Sequence, residues 1–292
     1  MSQSIAPLLE DKQTDTSPTL TFEEYRVYQG DPDVQYELYK GKLIPMATAS
    51  ALHTSICEYW VYKLQRYLAE HNLDLVVKTS VGVRTEGATS CIPDVLVCTQ
   101  SLWEQILAKP GSGILDLGET PLLVVEVVSE DRRADYMIKR AQYELANVPE
   151  YCIVDPKCGK QKIRILAFIE GEDGYTHTDF FPGEEIVSVV FPDFVLSVDE
   201  ILNPPLVEEL VKAERAQLQE FQQQAAMERQ RAEEQRQLAE QQRQLAEQQR
   251  QLAEQQRQRA EQQSQLAEQQ SQLAERLAAR LRELGVDPDT VV

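Results

Sequence analysis

Cys91-Ile92-Pro93-Asp94-Val95-Leu96-Val97-Cys98 and Pro121-Leu122-Leu123-Val124-Val125-Glu126-Val127-Val128-Ser129 are the two stretches on which the fold turns. Each is an apolar, β-branched run of strand length that carries one carboxylate. A carboxylate taken out of water is costly unless something pairs with it, so a lone acid in such a strand asks for a partner. Laid side by side, the two strands bring Asp94 and Glu126 together at one sheet edge. Paired carboxylates make a hard-cation site of the kind that Mg²⁺ or Mn²⁺ occupies. Lys139 follows on a predicted helix, and two acids with a lysine are the minimum set for metal-assisted phosphodiester hydrolysis.

Outward from these strands, the pattern predicts an α/β chain with a mixed sheet and helices on its faces. Thr21 and Glu24 read as a capping box opening a helix. Tyr36–Tyr39 and Lys42–Met46 flank Gly41 as a hairpin. Residues 51–70 space their apolar side chains as a helix, Leu73–Val83 as one strand, and Ser101–Ala108 as a short helix before the loop 110–113. Arg133–Ala146 is a predicted helix and Tyr151–Val154 a strand stopped by Asp155-Pro156. Ile163–Ile169, Tyr175–Phe181 and Ile186–Val190 are expected as antiparallel strands. The predicted organisation is a disordered 1–20, a globular domain over 21–206, a long helix or weak coiled coil over 207–284, and a tail over 285–292.

The helical tail is a repeat. Arg-Gln-Leu-Ala-Glu-Gln-Gln starts at 236, 243 and 250 and degenerates at 257, 264 and 271. Leu238, Leu245, Leu252, Leu266 and Leu273 hold one heptad position, interrupted by Arg259. A strong coiled coil has two apolar positions per heptad. Here Gln stands at the second, so the seam is weak, with Leu277, Leu281 and Leu284 offering a better stripe. The expected partner is a second copy of the chain; the alternative is a solvated helix grown by duplication.

The net charge is −19 over 292 residues. Residues 207–284 carry 14 acids and 12 bases, and the part before 207 carries 32 acids and 17 bases. Nucleic-acid binding normally shows a basic footprint, so this balance speaks against tight non-specific DNA binding and, weakly, against a nuclease. Arg132, Arg133, Lys139 and Arg140 nevertheless form a local basic strip beside the proposed site. The five cysteines lack zinc-type spacing, and most read as small core residues of a reduced compartment. No signal peptide or membrane span is apparent, so the expectation is cytoplasmic.

Each candidate has a bland reading beside the sharp one. Asp94 could be a turn residue after Pro93. Glu126 could belong to a structural ion pair, and Lys139 to a surface pair with Asp135. His53, at a helix start, could be a cap rather than a group that touches phosphate. Glu37, in the hairpin, could supply a third carboxylate or none. His71 and His177 are assigned no role.

The ordered set Pro93-Asp94, Glu126-Val127-Val128-Ser129, Asp135-Tyr136, Lys139-Arg140, Tyr143, Val148-Pro149-Glu150-Tyr151 and Val154-Asp155-Pro156 resembles the Uma-type restriction endonuclease family of the PD-(D/E)XK nuclease superfamily. The resemblance covers about 20–200. It includes Tyr36-Glu37-Leu38, Gly41, His53 and the close at Phe191-Pro192 and Ile201-Leu202; Leu281–Pro288 is similar to members with a helical tail. It implies a restriction-endonuclease-like core, one or two divalent metals and DNA as substrate. On it, Asp94 and Glu126 would be metal ligands and Lys139 the catalytic lysine, with Glu37 and His53 as accessory candidates. Val128 stands where the superfamily's pattern has lysine, and Lys139 from the next helix would replace it. The rival readings are a nucleic-acid-binding or regulatory module with little turnover, a scaffold built on the tail, and a hydrolase of another phosphodiester.

Overall fold

The structure, a computed structural model, describes residues 19–31, 34–129 and 132–285. The disorder expected at 1–20 therefore falls, but for its last two residues, outside the described residues, as does the tail from 286. The chain forms two compact units, residues 1–212 and 213–292.

The first unit opens with helix α1, Phe22–Arg26. It is fixed by the capping box: the Glu24 amide donates to Thr21 Oγ1 and the Thr21 amide to Glu24 Oε2. Strands β1 (Tyr36–Tyr39) and β2 (Lys42–Pro45) form the predicted hairpin. Lys40 and Gly41 both have positive φ, 50° and 82°, which matches the right-handed twist of the strands they join. Helix α2 spans Ala51–Glu70, with Ser50 accepting from the His53 amide at its start.

Next come β3 (Leu75–Lys78), β4 (Gly82–Glu86) and β5 (Thr89–Cys91). The single strand expected over 73–83 is thus two. Ser80, at φ 56°, turns the chain between them, and they enter different sheets. Then follow β6 (Val95–Thr99), helix α3 (Gln100–Leu107), β7 (Ile114–Leu115) and β8 (Leu123–Val127). Helix α4 joins a π-helical stretch, Ala134–Lys139, to an α-helical one, Arg140–Leu145. Strands β9 (Glu150–Asp155), β10 (Lys162–Phe168), β11 (Tyr175–Phe180), β12 (Glu185–Val187) and β13 (Val195–Ser197) precede helix α5, Val198–Leu202. Helix α6 runs from Val207 to Glu283 and fills the described part of the second unit. Its heptad leucines are exposed within the single chain, Leu238 at 57% and Leu273 at 59%.

Six strands form one sheet in the order β11-β10-β9-β8-β6-β3, with β8 and β9 parallel and the other pairs antiparallel. Five form a second, β2-β1-β5-β4-β7, with β4 and β7 parallel. Both sheets are mixed; α2, α3, α4 and α5 pack on the larger one, and α1 packs on the smaller through Phe22 and Tyr25. Side chains alternate across a strand, so Val95, Val97, Val125 and Val127 pack with Ile56, Tyr59 and Trp60 of α2 and Ile201 of α5. Leu96, Cys98 and Val124 face the other way, onto Tyr143 of α4 and onto Val83 and Leu115 of the second sheet. Every residue of β8 is buried, so Glu126 lies inside a two-sided core.

Candidate active site

Glu126 sits one residue from the carboxyl end of β8. Beside it, β6 pairs Val95 with Val125, and one step further the same antiparallel register sets Asp94 opposite Glu126. Asp94 itself stands before the strand, where Pro93 donates nothing to a ladder. Its carboxylate takes the place of a backbone partner: Oδ2 accepts from the Val127 amide at 2.7 Å. The other oxygen, Oδ1, lies 2.9 Å from His53 Nε2. Asp94 is thereby fixed at both oxygens, by a strand and by the head of α2.

Glu126 is held from the other side by α4. Lys139 Nζ donates to both of its oxygens at 2.9 Å, and Tyr143 Oη donates to Oε1 at 2.7 Å. Lys139 also lies 3.2 Å from Glu37 Oε1 and 4.0 Å from Asp135 Oδ1. Glu37 comes from the hairpin of the second sheet, and its Oε1 accepts from the Ile92 amide at 2.8 Å, two residues before Asp94. Tyr151 of β9 donates to the Asp135 carbonyl, within the π-helical stretch that carries Lys139. Such wide turns recur at functional sites.

The electrostatics follow from burial. Desolvation pushes the Glu126 carboxyl well above its ordinary value; Lys139 pulls it down, and Asp94, Asp135 and Glu37 push with the burial. Burial also opposes the charge on Lys139, but Glu126, Glu37 and Asp135 outweigh it and hold its pKa well above the ordinary value. The ammonium is therefore a fixed cation. Around it stand three acids, Glu126, Glu37 and Asp135, and Asp94 acts on Glu126 from the neighbouring strand, so acids outnumber the lysine in the cluster. The hydrogen bond to Asp94 raises the pKa of His53 despite its partial burial.

This excess, with oxygen donors from adjacent strands, fits a divalent cation better than it fits a closed salt bridge. Asp94 and Glu126 are the residues that could hold it, with Glu37 in reach of the same lysine. A second donor set overlaps this one. Among the described residues, the one group of three ligand atoms within 4.8 Å of one another is His53, Cys57 and Asp94. His53 and Cys57 are four residues apart on one face of α2. Burial, reinforced by Asp94 and Glu126, pushes the Cys57 thiol up, so without a cation it stays protonated.

All five predicted site residues, Asp94, Glu126, Lys139, Glu37 and His53, fall in this one neighbourhood. The sequence reading missed Tyr143 as a partner of Glu126 and Cys57 as a neighbour of Asp94. The bland alternative for Lys139, a surface pair with Asp135, does not hold, because Asp135 is buried at 5% exposure. Tyr143 had a signal, its four-residue spacing from Lys139. Cys57 had the same spacing from His53, which five scattered cysteines concealed.

The family described as "Uma2: Putative restriction endonuclease" matches the chain over residues 22–199. Among solved structures, the chain resembles a "putative nuclease belonging to DUF820" from Anabaena variabilis ATCC 29413. That likeness has 15% identity and a TM-score of 0.49, and covers 63% of this chain and 98% of the other. None of the curated proteins matches.

Proposed function

The chain belongs to the Uma2 family, and on that premise we propose that it is an endonuclease that hydrolyses phosphodiester bonds of DNA with Mg²⁺ or Mn²⁺. Asp94 and Glu126 would hold the cation, which supplies a bound water of lowered pKa and positive charge at the phosphate. Lys139 acts as a charge rather than a base, since three carboxylates keep it protonated. Its ammonium, pre-positioned by Glu126 and Glu37, stabilises the negative charge that develops on the phosphoryl oxygens. Tyr143 sets the rotamer of Glu126, and His53 with the Val127 amide sets that of Asp94. The β6–β8 register and the two-sided core keep the reacting side chains in place.

The observation that carries this reading is the convergence of two acids on neighbouring strands with one half-buried lysine from the next helix. Duplex cleavage takes two cuts, and we infer that α6 joins copies of the chain to supply two sites. The support is its own near-identical heptads, whose exposed leucines offer a seam that another copy can match. Five free cysteines suit a reducing compartment, and a cytoplasmic location is part of the proposal. No helix among the described residues is long and apolar enough to cross a membrane.

The test is calorimetric titration of Mg²⁺ and Mn²⁺ into the wild type and Glu126→Gln, with plasmid nicking followed in the same samples. Binding and nicking by the wild type, both lost in the variant, support the proposal. A wild type that takes up neither cation at millimolar concentration makes the acid pair structural and ends it.

A further inference from the structure

We propose that an open cleft beside the candidate site, lined by Arg132, Lys160, Lys162, Phe181 and Pro182, binds the sugar-phosphate backbone of the DNA strand whose scissile phosphate lies at Lys139. The inference rests on the nuclease reading and says where its substrate runs. The cleft has a volume of about 430 Å³.

Its position follows from the fold. Strand β9 runs parallel beside β8, with Glu126 opposite Ile153. Lys162 pairs with Asp155 at the carboxyl end of β9. The cleft is therefore two strands over from Glu126 and two residues further along. At about 4.8 Å per strand and about 3.3 Å per residue this is on the order of 12 Å between backbones. Arg132 precedes Lys139 by seven residues, about 10 Å at about 1.5 Å each. Both separations lie within a few nucleotides of one DNA strand, whose charges advance about 3.4 Å each along the helix axis. Ligands of open α/β sheets bind at the carboxyl ends of the strands, and this edge carries both the acids and the cleft.

The charge is the reverse of the body around it. Arg132, Lys160, Lys162 and the neighbouring Arg164 bring four cations to this edge. Asp155, which pairs with Arg132, Asp179, which pairs with Lys162 and Arg164, and Glu184, whose Oε2 accepts from the Phe181 amide, answer three of them and leave one positive charge in excess. A net positive patch here stands on a domain with 32 acids and 17 bases before residue 207. Tyr136 of α4 adds order: Arg132, Lys162 and Arg164 lie 5.0, 5.5 and 5.3 Å from its ring centre. Cations held by a ring and by acids lose less freedom when a phosphate arrives. Phe181, 50% exposed on the same cleft, offers a ring face on which an unpaired base can stack. Cations interleaved with an open aromatic ring are the signature of a strand-binding groove.

The experiment uses the full chain in EDTA, where metal-assisted turnover is silent, and follows anisotropy of a labelled DNA over a series of salt concentrations. Lys160→Glu is the main variant, because Lys160 is exposed and reversing its charge leaves the core alone. Arg132→Gln is the second. Arg66→Glu is the control: it pairs with Glu70 on the last turn of α2, which leads to β3 at the opposite sheet edge. Each cleft variant is expected to weaken binding by about tenfold at about 0.1 M salt, with a shallower salt slope by about one for each phosphate contact removed. The control should bind as the wild type does. Wild-type binding with unaltered affinity and slope in both cleft variants overturns the assignment and leaves the nuclease reading standing. A wild type that binds no DNA at low salt overturns both.

Discussion

Lys139 Nζ lies 2.9 Å from each carboxylate oxygen of Glu126, with Glu37 and Asp135 crowding the same ammonium. One cation thus answers two buried acids and one half-buried acid, and this inequality sets what substitutions should do.

Removing the lysine should cost far more than neutralising the glutamate. Lys139→Met leaves Glu126, Glu37 and Asp135 without their common partner, and breaking a buried pair in this way costs about 3–5 kcal/mol. Glu126→Gln leaves Lys139 with two acids and keeps an acceptor for Tyr143, so its cost should stay below about 2 kcal/mol. Urea unfolding of the two variants at neutral pH compares them directly. Equal destabilisation would refute the charge count.

His53 should govern metal affinity without being needed for the fold. Its Nε2 orients Asp94 Oδ1 from the solvent-facing head of α2. Loss of such a partner behind a ligating carboxylate typically lowers affinity about 10–100-fold. His53→Ala is therefore expected to weaken Mn²⁺ binding by that factor in calorimetry, with circular dichroism unchanged. Wild-type affinity in the variant would mean that Asp94 is held by the Val127 amide alone, or is no ligand.

Asp116 provides an acid-dependent strut outside the candidate site, paired with Arg26 and Arg84. Partial burial works against its ionisation, but Arg84, the Leu117 amide and Arg26 outweigh it and bring its pKa to about 2. A depressed carboxyl contributes stability above its unfolded value, 3.8, and loses it as pH falls toward about 2. The stability gap between wild type and Asp116→Asn should hold steady above about pH 5 and shrink across that window. A gap independent of pH would show that the ion pairs with Arg84 and Arg26 contribute nothing through charge.

Truncation after Lys212, at the boundary between the two units, should leave a folded domain that is monomeric in sedimentation. That boundary keeps Leu210, which packs on the main core. Metal binding per chain should be unchanged. If the full-length chain is itself monomeric, the heptads of α6 do not join copies.

Much of the fold was legible because its signals are local. The valine-rich runs gave β6 and β8, the capping box gave α1, and the turn at Gly41 gave the hairpin. The division of 73–83 into β3 and β4 was not legible. An unbroken apolar run reads as one strand, and the positive φ of Ser80 is set by the two sheets it connects. Strand β5 was missed for a related reason: three residues, Thr89–Cys91, are too few for a period to show.

By itself, the sequence determined which segments must be buried, that each of two buried strands or strand starts carries an acid, and that the tail repeats every seven residues. Burial cost and periodicity depend on neighbours along the chain, so residue type and spacing suffice for them. Only the tertiary structure decided who answers each acid. It brings Glu37 to the Ile92 amide from 55 positions away and His53 to Asp94 from 41. It also widens α4 into a π-helical turn that delivers Lys139 and Tyr143 onto Glu126. Hydrogen bonds and ion pairs act over a few ångströms, and that proximity comes from sheet register and helix packing, which no local pattern of residues specifies.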